Sequence, residues 1–192
     1  SAASDVYKRQ ASVMLAMFIQ TLDSTISIVA LPYIQGSMSA SADEISWVLT
    51  SYVIAAAIFT APVGWMAQRF GRKRMFLICL GGFLFMSALS GASQSLEQLI
   101  TFRIIQGVFG AALAPMCQAT MLDIYPFSQR AQAMAVFAMG ITLGPTMGPT
   151  LGGWLTDAYN WRWVFYVNIA PGLLAFLGVL IFLPRVAPKP NM

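Results

Sequence analysis

The sequence predicts an all-α integral membrane protein with six transmembrane helices. Composition is the first reason: 58% of the 192 residues are hydrophobic and 9% are charged, with a mean hydropathy of +0.70. A soluble domain carries about a quarter charged residues. Spacing is the second. Apolar runs of about 20 residues, each bounded by polar or charged clusters, have the length of bilayer-crossing helices. The third is that nothing alternates apolar and polar over roughly 10 residues, as membrane β-strands do.

In chain order, 1–10 (SAASDVYKRQ) is set apart, because it reads as an in-frame translation of a transposase-end sequencing adapter and is expected to be non-native. Residues 11–183 form the expected bundle. Ala11–Ile34 is the first helix, with Asp23 near its middle. Ile45–Ala67 is the second, opened by Trp47 and closed by Trp65, and a basic turn follows at 68–74. Met75–Ala92 is the third, Gln98–Leu122 the fourth, Ala131–Leu155 the fifth and Val164–Leu183 the sixth. Residues 184–192 are expected to begin a cytoplasmic linker. Arg69, Arg72, Lys73, Arg74, Arg130, Arg185 and Lys189 fall on one side and Arg162 alone on the other. The positive-inside rule then predicts both termini in the cytoplasm, and the five tryptophans are expected at the interfaces.

The net charge of +4 is too small and dispersed for a nucleic-acid surface. Cys79 and Cys117 fall inside predicted helices and are expected as free thiols. With no histidine in the chain, imidazole chemistry is excluded, from a Ser-His triad to a histidine-ligated metal. That absence, and the lack of paired intramembrane carboxylates, argue against a membrane enzyme.

Four stretches carry chemistry. In the fifth helix Gly140, Gly144, Gly148 and Gly152 recur every fourth residue, a face on which a neighbouring helix can reach backbone contact. Pro145 and Pro149 each remove a helix donor, and Gly153 closes the run. The turn after the second helix holds Gly64, which is expected to let helices meet closely, with Gln68, Arg69, Gly71, Arg72 and Lys73. Its cations suit topology, and also a gate in which they meet helix C-terminal carbonyls or acidic groups. In the fourth helix Arg103, Gln106, Gly107 and Gly110 share one face. Arg103 lies roughly 9 Å inside that helix. In the first helix Asp23 lies about 18 Å along, near the middle of a hydrocarbon core about 30 Å thick. A lone carboxylate there must be paired, solvated by a cavity or protonated. Gln20, Asp23 and Ser27 share a face assigned to a central cavity, and Arg103 is expected to approach Asp23.

These stretches resemble the signatures of the major facilitator superfamily. GITLGPTMGPTLGG is similar to the fifth-helix antiporter pattern G-x-x-x-G-P-x-x-G-G. The basic turn resembles the loop G-x-L-A-D-R-x-G-R-K, with Gln68 where that pattern has Asp. RIIQG resembles the fourth-helix R-x-x-Q-G motif, and LDSTISIVALP the first-helix signature of the drug:proton antiporter-2 (fourteen-helix, EmrB/QacA-type) branch; WRWVFYVNIAPG at 161–172 is also typical of it.

The resemblance covers nearly all of 11–192 but the first six of about fourteen helices. It implies one half of such a transporter, itself a three-plus-three inverted repeat. It also implies proton-coupled export of hydrophobic or cationic small molecules by alternating access, from a bacterial inner membrane and with no cofactor beyond the proton gradient. Asp23 and Arg103 would couple to protons, with Gln20, Ser27 and Gln106 lining the substrate cavity. The expected partners are the C-terminal half of the same protein and, in double-membrane bacteria, a periplasmic adaptor and an outer-membrane channel. A substrate-specific uptake carrier and a non-transporting membrane scaffold are the alternatives.

Overall fold

The computed structural model describes residues 2–184, so Arg185, Lys189 and nearly all of the expected linker lie outside it. Among the described residues the chain is helical, with no strand, and six segments are long and apolar enough to cross a membrane. The helices are α1 (Ala2–Met38), α2 (Ala42–Thr60), α3 (Val63–Phe70), α4 (Arg72–Gly91), α5 (Leu96–Ile124), α6 (Arg130–Ala158), α7 (Trp163–Tyr166) and α8 (Ile169–Phe182). Six predicted spans thus become eight helices, because two of the spans are interrupted by proline.

Local chemistry explains the boundaries. α1 runs beyond Ala11–Ile34 at both ends. Residues 2–10 contain no Gly or Pro to stop it, and Pro32 is absorbed within the helix. It stops at Ser39, whose φ of 52° lets the Ala40 amide donate to the Gln35 carbonyl at 3.0 Å. α2 starts on a capping box: the Ser41 hydroxyl accepts from the Glu44 amide at 3.1 Å, and the Glu44 carboxylate accepts from the Ser41 amide at 3.2 Å. The single second helix expected over Ile45–Ala67 is divided at Pro62, which has no N–H to continue the ladder. α3 passes to α4 through Gly71, whose φ of 93° is a conformation that side chains with a Cβ rarely adopt. The sixth span, expected as one helix, breaks narrowly at Val167–Asn168. Pro171 lacks the amide that would pair with the Val167 carbonyl.

α1 is the central element, lying against α6, α8, α5, α2 and α7. α2 and α4 both pack on α5, and α8 closes on α4. The approach of α6 to α1 is the glycine face. A Cβ on Gly144 would meet the Leu22 amide nitrogen at 2.8 Å, and one on Gly148 would meet Thr25 Cβ at 2.8 Å. One on Gly152 would meet Ile26 Cγ1 at 2.9 Å. Pro145 and Pro149 are exposed beside this face, and a Cβ on Gly153 would meet nothing within 4 Å. Cys79 and Cys117 are buried free thiols. Four tryptophans are about half exposed, as a belt requires, but Trp161 is 5% exposed and packs edge-on against Phe165 in the core. That is a correction to the expected girdle: Arg162, whose guanidinium lies 4.5 Å from the Trp161 ring, takes the surface position instead.

Two apolar clusters fill the bundle. One includes Ile19, Phe76, Phe83, Leu113 and Met121, and the other Leu22, Ile26, Ile34, Leu99 and Phe165. If the α1–α6 approach holds the bundle together, Gly148→Leu should destabilise it by about 3 kcal/mol, the upper range for overpacking. Gly153→Ala should stay within about 1 kcal/mol, because it fills open space in a helix. Thermal unfolding in detergent compares the two; equal shifts would show that the glycine face is incidental.

Candidate functional site

Between the two apolar clusters lies a polar layer, one or two residues from each surrounding element. On α1 Asp23 falls just after Leu22. On α5 Arg103 and Gln106 lie between Leu99 and Ala112, and on α2 Tyr52 follows Val48. Ser87 on α4 and Asn168 at the α7–α8 junction complete it. Asp23, Ser87, Arg103, Gln106 and Asn168 are 0% exposed.

The Asp23–Arg103 ion pair organises the layer. Arg103 Nη1 donates to Asp23 Oδ2 at 2.8 Å and to Gln106 Oε1 at 2.9 Å, and Arg103 Nε donates to the Val48 carbonyl at 3.4 Å. Its guanidinium lies 4.4 Å from the centre of the Tyr52 ring and 5.7 Å from that of Phe165. Gly107 permits that stacking: a Cβ there would stand 2.6 Å from the Tyr52 carbonyl oxygen and push α2 away. The second carboxylate oxygen, Oδ1, accepts from Asn168 Nδ2 at 3.0 Å. Asn168 Nδ2 also donates to Ser87 Oγ at 3.4 Å, and Ser87 in turn donates to the Phe165 carbonyl at 2.8 Å. Such a pair is stable in low dielectric only because both partners keep further hydrogen bonds.

The expected meeting of Asp23 and Arg103 is therefore present. The three residues assigned to a substrate cavity are not gathered on one open wall. Gln20 keeps partial exposure, but Ser27 is fully buried and donates to the Asp23 carbonyl at 2.7 Å, one turn back on its own helix. Gln106 is drawn to Arg103 instead. Tyr52, Ser87 and Asn168 were not singled out from the sequence. For Asn168 a signal existed: it is the one polar, non-aromatic side chain in 163–182.

At the basic end, the turn is built as a set of cation–carbonyl and cation–carboxylate contacts. Arg72 pairs with Asp123 at the end of α5. Lys73 Nζ donates to the Leu180 and Leu183 carbonyls at 2.7 and 2.8 Å, capping α8. Arg69 occupies the last turn of α3. Gly64, Gln68, Gly71 and Arg72 line a cleft of about 290 Å³ with Met116 and Asp123. Gly64 makes no close helix contact, since a Cβ there would meet nothing within 4 Å, which corrects its expected packing role. At the other end Arg162 caps α4 on the Gly91 carbonyl at 2.9 Å.

The geometry is that of a bundle of membrane-length helices around a buried ion pair, and the chain belongs to the Major Facilitator Superfamily, whose sequence model matches residues 13–191. Within it, the chain is 43% identical over 163 residues to the multidrug export protein EmrB of Haemophilus influenzae, which covers 85% of this chain and 32% of that protein. It is 40% identical to EmrB of Escherichia coli K12 over 86% of this chain, and 37% identical to the fatty acid resistance protein FarB of Neisseria gonorrhoeae over 85%, in each case 32% of the relative. The chain thus spans about a third of the length of these relatives. In fold it matches the solved structure of the proton:xylose symporter XylE with a TM-score of 0.83 at 14% identity, covering 96% of this chain and 46% of that one. It also matches a bacterial homologue of the lysosomal transporter Spinster at 0.78 and 22% identity, covering 96% and 44%. It is a multi-pass membrane protein.

Removing one charge of the buried pair should be far worse than removing both. Arg103→Met should destabilise the bundle by about 3–5 kcal/mol, whereas Arg103→Met with Asp23→Asn should recover most of that loss. A double-mutant cycle by thermal unfolding reads the coupling; additive effects would mean that the charges do not sense each other.

Proposed function

We propose that this chain is the N-terminal half of a proton-coupled multidrug efflux antiporter that exports hydrophobic or cationic small molecules by alternating access. The observation that carries the reading is the Asp23–Arg103 pair, which is closed off from solvent, joins α1 to α5 and is contacted by α2 and the α7–α8 junction. A proton arriving at Asp23 cancels its charge and leaves Arg103 a buried cation without a counter-ion, a state costing several kcal/mol. Relief comes from rearranging the helices that hold the two groups, so protonation and helix geometry are coupled. A cationic substrate that competes for the same carboxylate displaces the proton, which is antiport.

The glycine face of α6 on α1 lets the carrying helix pack tightly while the flanking exposed surface, with Pro145 and Pro149, stays free for a second bundle. That bundle would come from the greater length of the relatives, since rocking one half against another needs both. The gating role of Gln68, Arg69, Arg72 and Lys73 rests on the ion pair to Asp123 and the capping of α8.

Orientation with both termini in the cytoplasm is supported by charge. Arg69, Arg72, Lys73, Arg74 and Arg130 lie towards one end, and Asp43, Glu44, Glu97 and Asp157 towards the other. A bacterial inner-membrane location, a three-plus-three inverted arrangement, a non-native 1–10 and a linker starting at 184 belong to the same reading. So do a periplasmic adaptor and an outer-membrane channel as partners.

Asp23→Asn, made in the full-length transporter, should abolish gradient-driven efflux of a lipophilic cation such as tetraphenylphosphonium while leaving membrane insertion intact. Efflux at the unmutated rate from proteoliposomes under a pH gradient would sink the proposal.

A further inference from the structure

Asn168 belongs to the buried layer, touches Asp23 directly, and is not used by the proton coupling between Asp23 and Arg103. Its position is set by the chain: Pro171 weakens the helix three residues on, and the narrow break at Val167–Asn168 presents the amide to α1 and α4. A buried amide is costly unless its groups are paired. Here Nδ2 is paired twice, with Asp23 Oδ1 and Ser87 Oγ, while Oδ1 is buried without a hydrogen-bond partner. The two oxygens of Asp23 are thus divided, Oδ2 to Arg103 and Oδ1 to Asn168.

An amide has a property that few buried partners share. It carries donors on one arm and an acceptor on the other. Facing an ionised carboxylate, Nδ2 donates. Facing a carboxylic acid protonated on Oδ1, a half-turn about the last side-chain bond lets the amide oxygen accept that O–H. The Ser87 hydroxyl, now an acceptor for Nδ2, can turn to donate to the same oxygen. Asn168 Oδ1, unpartnered in the ionised arrangement, gains the Asp23 O–H in the protonated one, while Nδ2 gives up Asp23 and Ser87 and the Ser87 hydroxyl leaves the Phe165 carbonyl.

We propose that Asn168 is a positioning residue for Asp23 that holds the carboxyl group in both protonation states by turning its amide. This rests on Asp23 being the proton carrier. Among the described residues Asp23 and Arg103 are the only buried charged side chains. The groups around the carboxyl are Arg103 from α5, the Tyr52 phenol from α2, Ser87 from α4 and Asn168 from the α7–α8 junction. No other charge competes for the role.

The test uses the full-length transporter in proteoliposomes, with tetraphenylphosphonium efflux measured across a range of pH. Asn168→Ala should lower turnover about tenfold or more and displace the pH profile of the residual exchange by about half a unit or more, because hydrogen bonds to one protonation state bias the titration. Substrate affinity should stay within about threefold. Asn168→Ser, whose hydroxyl also donates and accepts, should restore part of the turnover and of the profile. Unmutated turnover and profile in Asn168→Ala would overturn the inference. So would lost turnover with an unchanged profile and no recovery by serine, which describes packing alone. If Asn168→Ala does not insert, Ser87→Ala reads the same link, and an unchanged profile there counts against it. Asp23→Asn separates the two levels. If it keeps gradient-driven efflux, the coupling reading fails; if it is inactive while Asn168→Ala behaves normally, only the amide's role fails.

Discussion

The buried pair of Asp23 and Arg103 constrains the rest of the molecule. Two charges at 0% exposure are tolerable only if they meet at hydrogen-bonding distance and if their remaining donors and acceptors are largely satisfied. That requirement recruits Gln106, the Val48 carbonyl and Asn168, and it sets α1, α2, α5 and the α7–α8 junction at fixed distances from one another. The apolar clusters lie on either side of this layer rather than through it.

Small residues and prolines make the layer reachable. Gly107 admits the backbone of Tyr52, so that its ring can stack on the guanidinium. Gly144, Gly148 and Gly152 let α6 lie against the backbone of α1 on a side away from the carboxylate. Pro62 and Pro171 interrupt the second and sixth spans, and the second of these breaks is where a polar side chain enters the layer. Among membrane helices, close approach by glycine replaces the hydrophobic effect that drives packing in water.

The ends of the bundle follow a different rule. Cations there sit on helix C-terminal carbonyls: Lys73 on α8 and Arg162 on α4. Helix ends leave carbonyls unpaired, and a cation nearby meets both those groups and the negative end of the dipole. The Arg72–Asp123 pair is partly exposed, 36% and 56%, so it contributes little to stability, about 0.2–1 kcal/mol. Its effect is to tie the start of α4 to the end of α5 at the surface.

The sequence by itself determined the class of fold, because apolar runs about 20 residues long have one stable solution in a bilayer. It also determined which charges matter: a carboxylate and a guanidinium inside apolar helices must find partners, so the meeting of Asp23 and Arg103 is legible in the residues alone. The glycine face of α6 was legible for the same reason, since a four-residue period lies along one side of a helix. Tertiary structure alone decided what each oxygen of Asp23 would bind. Asn168 lies 145 positions from Asp23, and no local pattern links them. It alone decided that Ser27 and Gln106 would be shut away from solvent, that Gly64 would touch nothing and that Trp161 would turn inward. Periodicity reports which side of a helix a residue occupies; which neighbour that side meets depends on how the helices pack, and packing is fixed by all of them together.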